Sequence, residues 1–565
     1  MKMKSFLMVS IIIIQSNLII SEFNKSSAGP IVGLDSGLIQ GKSKMFRGIE
    51  VYQFLCIPYG EPPIGVNRFK RSVPKSTWTG VLSTREWGPY CVQSTLTSDI
   101  KVSEDCLSLN VFTTSIAVDD VQKGDKQQLR PVMVWIHGGA FRLGSAHMAS
   151  LFDGTALAAL EDVVIVTINY RLGVFGFLYL PDSEIPGNMG LWDQNLALKW
   201  VQSNIIHFGG NPDRVTIFGE SAGSLSVSAH IVSPQSEGLF ANAIMQSGAI
   251  YGLHLLSPKN TTESFLKQIN CSSIDQKLCL SSFKFHDHPE VESIDFWPIY
   301  GDDFLPVLPE DVVSSSGVAN DLNLLIGTVG YEGALMLVCK DPITFDPANP
   351  IELNVSNVRG IISYLFGSSS VDYFTDKYNI SSLGNNSDEL RLQLAKLVGD
   401  VILTCPTYIF ARDLVKQNNI NNVYGYYQSQ RPSRSPFSFM NENKWVPVTH
   451  SDDILFVFGY PLMEDEKYPN EDLILSSMMI NIWTTFAKTG KPPPIGPFKW
   501  SNWTMNSNKT VTPFIMELNS KKVNLNDENV ASSCFDKWPF PLEKSYNLQI
   551  EFDGCSDQPI FDCDN

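Results

Sequence analysis

Six residues, Phe218-Gly219-Glu220-Ser221-Ala222-Gly223, constrain this chain more than any other stretch. The apolar run Arg214-Val215-Thr216-Ile217-Phe218 leads into them. Ser224-Leu225-Ser226-Val227-Ser228-Ala229-His230-Ile231-Val232 leads out as a helical stretch, halted before Pro234. The pattern reads as strand, very sharp turn, helix. A serine on such a turn takes strained dihedrals, and glycine two positions to either side lets strand and helix pack that closely. The hydroxyl of Ser221 is then presented at a helix N-terminus, where backbone N–H groups point outward. In this strand–turn–helix context Gly-x-Ser-x-Gly makes Ser221 a candidate nucleophile.

The runs around this turn repeat its logic. Pro131-Val132-Met133-Val134-Trp135-Ile136, Val163-Val164-Ile165-Val166-Thr167-Ile168 and Leu324-Leu325-Ile326 are apolar on both faces, as strands of a parallel sheet covered by helices on each side must be. Between the second run and Arg214, Leu191, Gln194, Asn195, Leu198, Val201 and Gln202 recur at helical spacing, with Trp192 and Trp200 among them. Strand–helix–strand alternation predicts an α/β fold with a large, mostly parallel central sheet and helices on both faces. No repeat, low-complexity tract or linker divides residues 29–545, so one domain is expected there.

Acidic residues outnumber basic ones by 59 to 42 in 565 residues, a formal charge of −17. That surface repels phosphate backbones and anionic lipid, which argues against a nucleic-acid partner. At the start, Lys2 and Lys4 precede the apolar run Phe6–Ile14, which resumes at Leu18-Ile19-Ile20. A basic start and a short, interrupted apolar stretch read as a signal peptide over about residues 1–21 rather than a span of ~20 apolar residues. No later span is expected, and the tail 546–565 is acidic, unlike the greasy signal of a lipid anchor. Export fits the Asn-x-Ser/Thr sites at Asn260, Asn354, Asn379, Asn385, Asn502 and Asn508, with further sequons at Asn24 and Asn270. It also fits ten cysteines, which imply disulfides in an oxidising compartment. None forms a C-x-x-C pair, so a zinc ribbon has no support.

A serine hydroxyl needs a base and an orienting carboxylate. Of eight histidines, His137 opens a glycine turn, while His207 and His230 fall on expected helices. His147, His254, His286 and His288 occupy loop-like sequence; a metal pair at 286 and 288 has no identifiable third ligand. His450 stands in Val446-Pro447-Val448-Thr449-His450-Ser451-Asp452-Asp453-Ile454, a loop leading into an apolar stretch. Among the acids, Glu332 lies just beyond the run Leu324-Leu325-Ile326, at the sheet edge where catalytic groups collect. Ser221, Glu332, His450 is then the serine–acid–histidine order of α/β-hydrolases. Backbone donors for an oxyanion are available in His137-Gly138-Gly139-Ala140-Phe141, which follows a strand, and at Ala222.

The chain resembles a type-B carboxylesterase, of the carboxylesterase/cholinesterase family of α/β-hydrolases. The matching blocks are Phe54–Pro63, Ser103–Val111, Asn169-Tyr170-Arg171-Leu172-Gly173, Pro186–Gln194, the serine turn Phe218–Gly223 and Trp483–Gly490. The resemblance implies Ser221 as nucleophile, Glu332 as acid and His450 as base, with Gly139, Ala140 and Ala222 as oxyanion donors. It implies ester hydrolysis through an acyl-enzyme on a small-molecule ester, with no cofactor or metal, by a secreted enzyme. Many members have a third glycine where Ala140 stands; the N–H survives, but the methyl narrows the acyl space. The family's bridges map onto Cys91 with Cys106, Cys271 with Cys279, and Cys405 with Cys534, and Arg68 with Glu104 resembles a structural ion pair. Cys555 and Cys563 could pair with each other or link subunits, and Cys56 and Cys339 read as buried thiols.

Three other outcomes are compatible with that family. A cholinesterase carries a tryptophan for cation–π binding in the loop closed by the first bridge, but Val92–Asp105 contains no aromatic residue. Juvenile hormone esterases usually show glutamine where Glu220 stands. Adhesion members have lost the serine, whereas all three triad positions are filled here. Phe296 and Trp297 fall near the region that shapes the acyl pocket in relatives, though adjacent aromatics are more often core. Oligomeric state is not expressed in any motif.

Overall fold

The apolar runs become the strands of one sheet. The structure, a computed structural model, describes residues 29–537 apart from 94–99, 126, 149–150, 182, 252–257, 273–274, 288–293, 316–320, 418–419 and 527–529. Asn24, His254, His288, Cys555, Cys563, the leader and the tail lie outside the described residues. The strands of the large sheet are β1 (Lys42–Phe46), β2 (Ile49–Pro58), β3 (Ser108–Thr114), β4 (Arg130–Ile136), β5 (Val164–Ile168) and β6 (Gly210–Glu220). They continue with β7 (Asn242–Gln246), β8 (Leu322–Val329), β9 (Ile420–Gln428), β10 (Ile515–Leu518) and β11 (Asn524–Asn526). The 11-stranded order is β11-β10-β9-β8-β7-β6-β4-β5-β3-β2-β1. Every pairing from β10 to β5 is parallel, and those at the two ends are antiparallel.

Alternation along β4 explains why its run is apolar throughout. Val132, Val134 and Ile136 face one hydrophobic layer, and Met133 and Trp135 face the other. The first layer receives α1 (Met189–Asn204) through Met189, Leu198 and Val201, and α2 (Ala222–Val232) through Leu225 and Val227. The second receives the helix Asn470–Thr489 through Leu475, Met479, Trp483 and Phe486. The strand expected at Arg214–Phe218 is longer, because it starts at Gly210 and bulges between Gly210 and Val215 against β4.

Polar connections lock the elements that carry the site. Arg171, after β5, is 3% exposed and makes a bidentate pair with Asp193 of α1, both N–H···O distances being 2.7 Å. Arg68 pairs with Glu104, Nε to Oε2 at 2.7 Å, and its Nη1 reaches the Phe283 carbonyl at 2.8 Å. Disulfides join Cys91 to Cys106, Cys271 to Cys279, and Cys405 to Cys534, the last across a sequence separation of 129. Cys56 is a free thiol. Cys339 is disulfide-bonded, which corrects its reading as a buried thiol.

By length and composition the helical run Ser387–Gln417 could cross a membrane, contrary to the expectation that no later segment qualifies. Its most apolar window is 89% buried inside the fold, so its apolarity serves the core. Asn260, Asn354, Asn379, Asn385 and Asn508 are exposed. Asn502 is half-buried, and its Oδ1 accepts from the Val423 N–H at 2.7 Å.

Candidate active site

The serine turn has no room for anything but its two glycines. A Cβ on Gly219 would lie 2.6 Å from the Ile136 carbonyl oxygen, and one on Gly223 would lie 2.0 Å from it. Between them Ser221 has φ 58° and ψ −125°, a conformation L-residues rarely adopt, and it caps α2. Its N–H donates to the Gln246 carbonyl at 2.9 Å, so the end of β7 helps hold the strained residue.

Glu332 follows β8 and immediately precedes α3 (Gly333–Lys340). One carboxylate oxygen, Oε1, accepts from Ser247 Oγ at 2.5 Å and from the Val329 N–H at 2.8 Å. The other, Oε2, meets His450 Nδ1 at 2.7 Å. The two loops are pinned together next to this contact. Tyr331 N–H donates to the Val448 carbonyl at 3.1 Å, and Thr449 Oγ1 donates to the Tyr331 carbonyl at 3.0 Å. That pinning is why a histidine on an irregular loop has a defined place.

The opposite nitrogen of the imidazole, Nε2, faces Glu220 Oε1 at 3.2 Å, and the same oxygen accepts from Ser451 Oγ at 2.7 Å. Ser221 and His450 line one cleft. Beneath the histidine lie two further buried carboxylates. Asp453 accepts from Gln246 Nε2 at 2.9 Å, and Asp452 accepts from the Thr449 N–H at 2.8 Å. Burial pushes Asp452 up to about 7. Burial also raises Glu220 well above the usual carboxylate range, with His450 opposing. For His450, burial acts to lower the pKa, but the charges of Glu220, Glu332 and Asp453 together outweigh it and hold the imidazole above its ordinary value.

The sign of the pH effect follows. A base acts when neutral, so a raised His450 pKa places activity on the alkaline side. Glu220→Gln removes a negative charge beside Nε2 and lets the imidazolium lose its proton at lower pH. The acidic limb of kcat/KM is expected to move down by about one to three pH units. A pH–rate profile checks this; a limb that stays put or moves up would mean that Glu220 is not setting the histidine's charge.

The glycine loop after β4 is strained as well. Gly139, Ala140 and Phe141 have φ of 104°, 53° and 58° in succession, and the N–H groups of Arg142 and Leu143 both close onto the Gly139 carbonyl at 2.9 Å. Ala140 thus occupies a conformation that glycine adopts without penalty. Phe141 anchors the loop, its ring edge-on to Phe177 at 4.9 Å and to Trp297 at 5.9 Å. Trp297 therefore backs this loop, and Phe296 packs on Phe265 in the core. Gly139 and Ala140 border the cleft with Ser221; Ala222 begins α2, where an N–H has no intrahelical acceptor.

Other sequence candidates lie elsewhere. His137 stacks on Tyr170 and His230 bonds Ser236 and Gln194, both imidazoles held neutral by burial; His147 Nε2 meets the Gly88 carbonyl. Ser247, Glu220, Ser451 and Asp453 were not singled out in the sequence as site residues. Only Glu220 had a usable signal, its adjacency to the serine. The cleft is walled largely by apolar side chains, among them Leu143, Leu151, Phe152, Leu335, Phe437 and Phe439.

A serine elbow at the end of a central parallel strand, with acid and histidine on later loops over a mixed sheet, makes this an α/β-hydrolase. Comparison with known proteins narrows the class. A sequence model of the carboxylesterase family matches residues 28–533. The chain is 32% identical over 546 residues to acetylcholinesterase-1 of Trittame loki, covering 89% of this chain and 94% of that protein. It is 32% identical over 550 residues to the cholinesterase of Mus musculus, covering 92% and 86%. It is 33% identical over 510 residues to pyrethroid hydrolase Ces2e of Rattus norvegicus, covering 84% and 85%. The chain belongs to the carboxylesterase family and is a carboxylic ester hydrolase.

Proposed function

We propose that the chain is a secreted, glycosylated carboxylesterase that hydrolyses apolar small-molecule esters through an acyl-enzyme on Ser221. Ser221 Oγ attacks the ester carbonyl while His450 Nε2 takes its proton. Glu332 at Nδ1 steadies the imidazolium, and the amides of Gly139, Ala140 and Ala222 receive the oxyanion. The alcohol leaves with the histidine's proton. Water then repeats the cycle on the acyl group and returns the free serine. Each proton and charge is handled by a protein group, so the reading calls for no metal or cofactor, and it includes no nucleic-acid partner and no membrane span.

The observation that carries the substrate class is the cleft wall. It is apolar, and among the described residues that line it none is a tryptophan that could offer an indole face to a quaternary ammonium. Neutral alcohols are therefore favoured over choline. A panel of aryl and butyl esters of increasing acyl length tests this; faster turnover of choline esters than of butyl esters of the same acid would overturn it.

Ala140→Gly belongs in the same panel. Removing the methyl relieves the left-handed strain and widens the space beside Ser221. The ratio of kcat/KM for a branched acyl group over acetyl is expected to rise about tenfold, the scale of one methylene in an apolar pocket. An unchanged ratio would place Ala140 away from the acyl group.

A further inference from the structure

Behind Glu332 the fold leaves no room for a side chain. Glu332 and Gly333, at the start of α3, are crossed by the end of α4 (Ser387–Gly399), and the crossing is glycine on glycine. A Cβ on Gly399 would lie 2.8 Å from the Cβ of Glu332 and 2.7 Å from the Gly333 nitrogen. A Cβ on Gly333 would lie 2.5 Å from the Gly399 nitrogen. Carbon atoms pack at ~3.5–4.0 Å, so a methyl at 399 must push its neighbours apart by about 1 Å. No rotamer relieves it, because the atoms it meets are backbone and Cβ.

The α4 side of the crossing is the fixed one. A π-turn, Asp400–Thr404, follows Gly399 at once and leads into α5 (Cys405–Gln417). Asp400 is buried and accepts from the Tyr378 hydroxyl at 2.8 Å, with the ammonium groups of Lys396 and Lys537 at 3.1 Å and 3.4 Å. Cys405, just past the turn, is bridged to Cys534 of α6 (Val530–Lys537). Tyr408 of α5 bonds Thr328 of β8 and donates to the Tyr426 carbonyl of β9. The yielding partner is then Glu332, which stands where β8 gives way to α3.

We propose that Gly399 is a positioning residue: its lack of a side chain, held in place by the π-turn behind it, fixes where the Glu332 carboxylate stands against His450 Nδ1. This rests on the reading of Glu332 as the acid of the triad. The Oε2–Nδ1 contact is 2.7 Å long, and a displacement of about 1 Å breaks it. Gly399 is not among the described residues that line the cleft, so the effect falls on turnover rather than on ester binding.

Gly399→Ala is expected to lower kcat for an aryl acetate about 10²-fold, with KM within a few-fold of wild type. Combining it with Glu332→Gln separates positioning from general damage. With the carboxylate–imidazole contact already lost, the methyl should cost less than about threefold further, so the two losses do not add. A loss as large in the Glu332→Gln enzyme as in the wild type overturns the proposal. So does a Gly399→Ala enzyme at the wild-type kcat while Glu332→Gln is slow. A Glu332→Gln enzyme within about tenfold of wild type removes Glu332 from the triad, and the proposal falls with it. Should Gly399→Ala fail to accumulate, Asp400→Asn slackens the π-turn without adding bulk to the crossing. It is expected to lower kcat about tenfold at unchanged KM, and only where Glu332 is intact. An unchanged kcat in that variant overturns the proposal.

Discussion

Ser221→Ala is expected to lower kcat on an aryl acetate by about six orders of magnitude, with KM within a few-fold of wild type. The loss is so large because the elbow offers no substitute. Ser221 is the residue between Gly219 and Gly223 that brings a hydroxyl to the cleft, and its strained dihedrals are held by the Gln246 carbonyl and the packed glycines. Alanine keeps that backbone and removes only Oγ, so the variant should fold and still bind ester. The oxyanion amides remain, and with them a residual acceleration over water of about 10³–10⁴. Single-turnover measurements should show no acyl-enzyme burst. A variant that keeps more than about one-hundredth of the wild-type rate would mean that another group carries the attack.

Glu332→Gln should cost about four orders of magnitude in kcat, even though it changes one atom. The carboxylate accepts at both oxygens, from Ser247 Oγ and the Val329 N–H on one and from His450 Nδ1 on the other. Glutamine cannot accept at both. Its amide nitrogen must face either the Val329 N–H, which is a donor, or His450 Nδ1, which then has to become an acceptor. The second choice moves the imidazole proton to Nε2, where Glu220 Oε1 stands ready at 3.2 Å. Glu220 thus becomes a trap for the wrong tautomer. The Glu220→Gln change should accordingly recover part of the loss when added to Glu332→Gln. A Glu332→Gln enzyme within about tenfold of wild type would remove Glu332 from the triad.

The sheet was legible because its physics is local and repetitive. A strand buried on both faces must be apolar at every position, and Val132 to Ile136 and Val164 to Ile168 are apolar or nearly so. The elbow was legible for a steric reason that survives in the sequence, since a methyl at 219 or 223 would meet backbone. Glu332 and His450 become candidates only through chain order and resemblance, because a loop residue leaves no periodic signal. What could not be read was what approaches His450 from the other side. Glu220 borders the serine in sequence, but nothing local tells that its carboxylate turns back toward an imidazole 230 residues later. Ser247 and Asp453 were invisible for the same reason, as were the roles of Phe296 and Trp297, whose sequence suits core and pocket equally.

The amino-acid order by itself determined the layered α/β architecture, the position of the candidate nucleophile, and the family to which the chain belongs. Each of these depends on neighbours within a turn or a strand, or on motifs preserved in sequence. Only the tertiary structure decided which carboxylates share the histidine, how its proton is held, and that Cys339 stands bonded beside the cleft. Those properties arise from charges and sulfur atoms brought within a few ångströms by distant segments. Electrostatic energy in a buried site depends on that separation, which a one-dimensional chain does not contain.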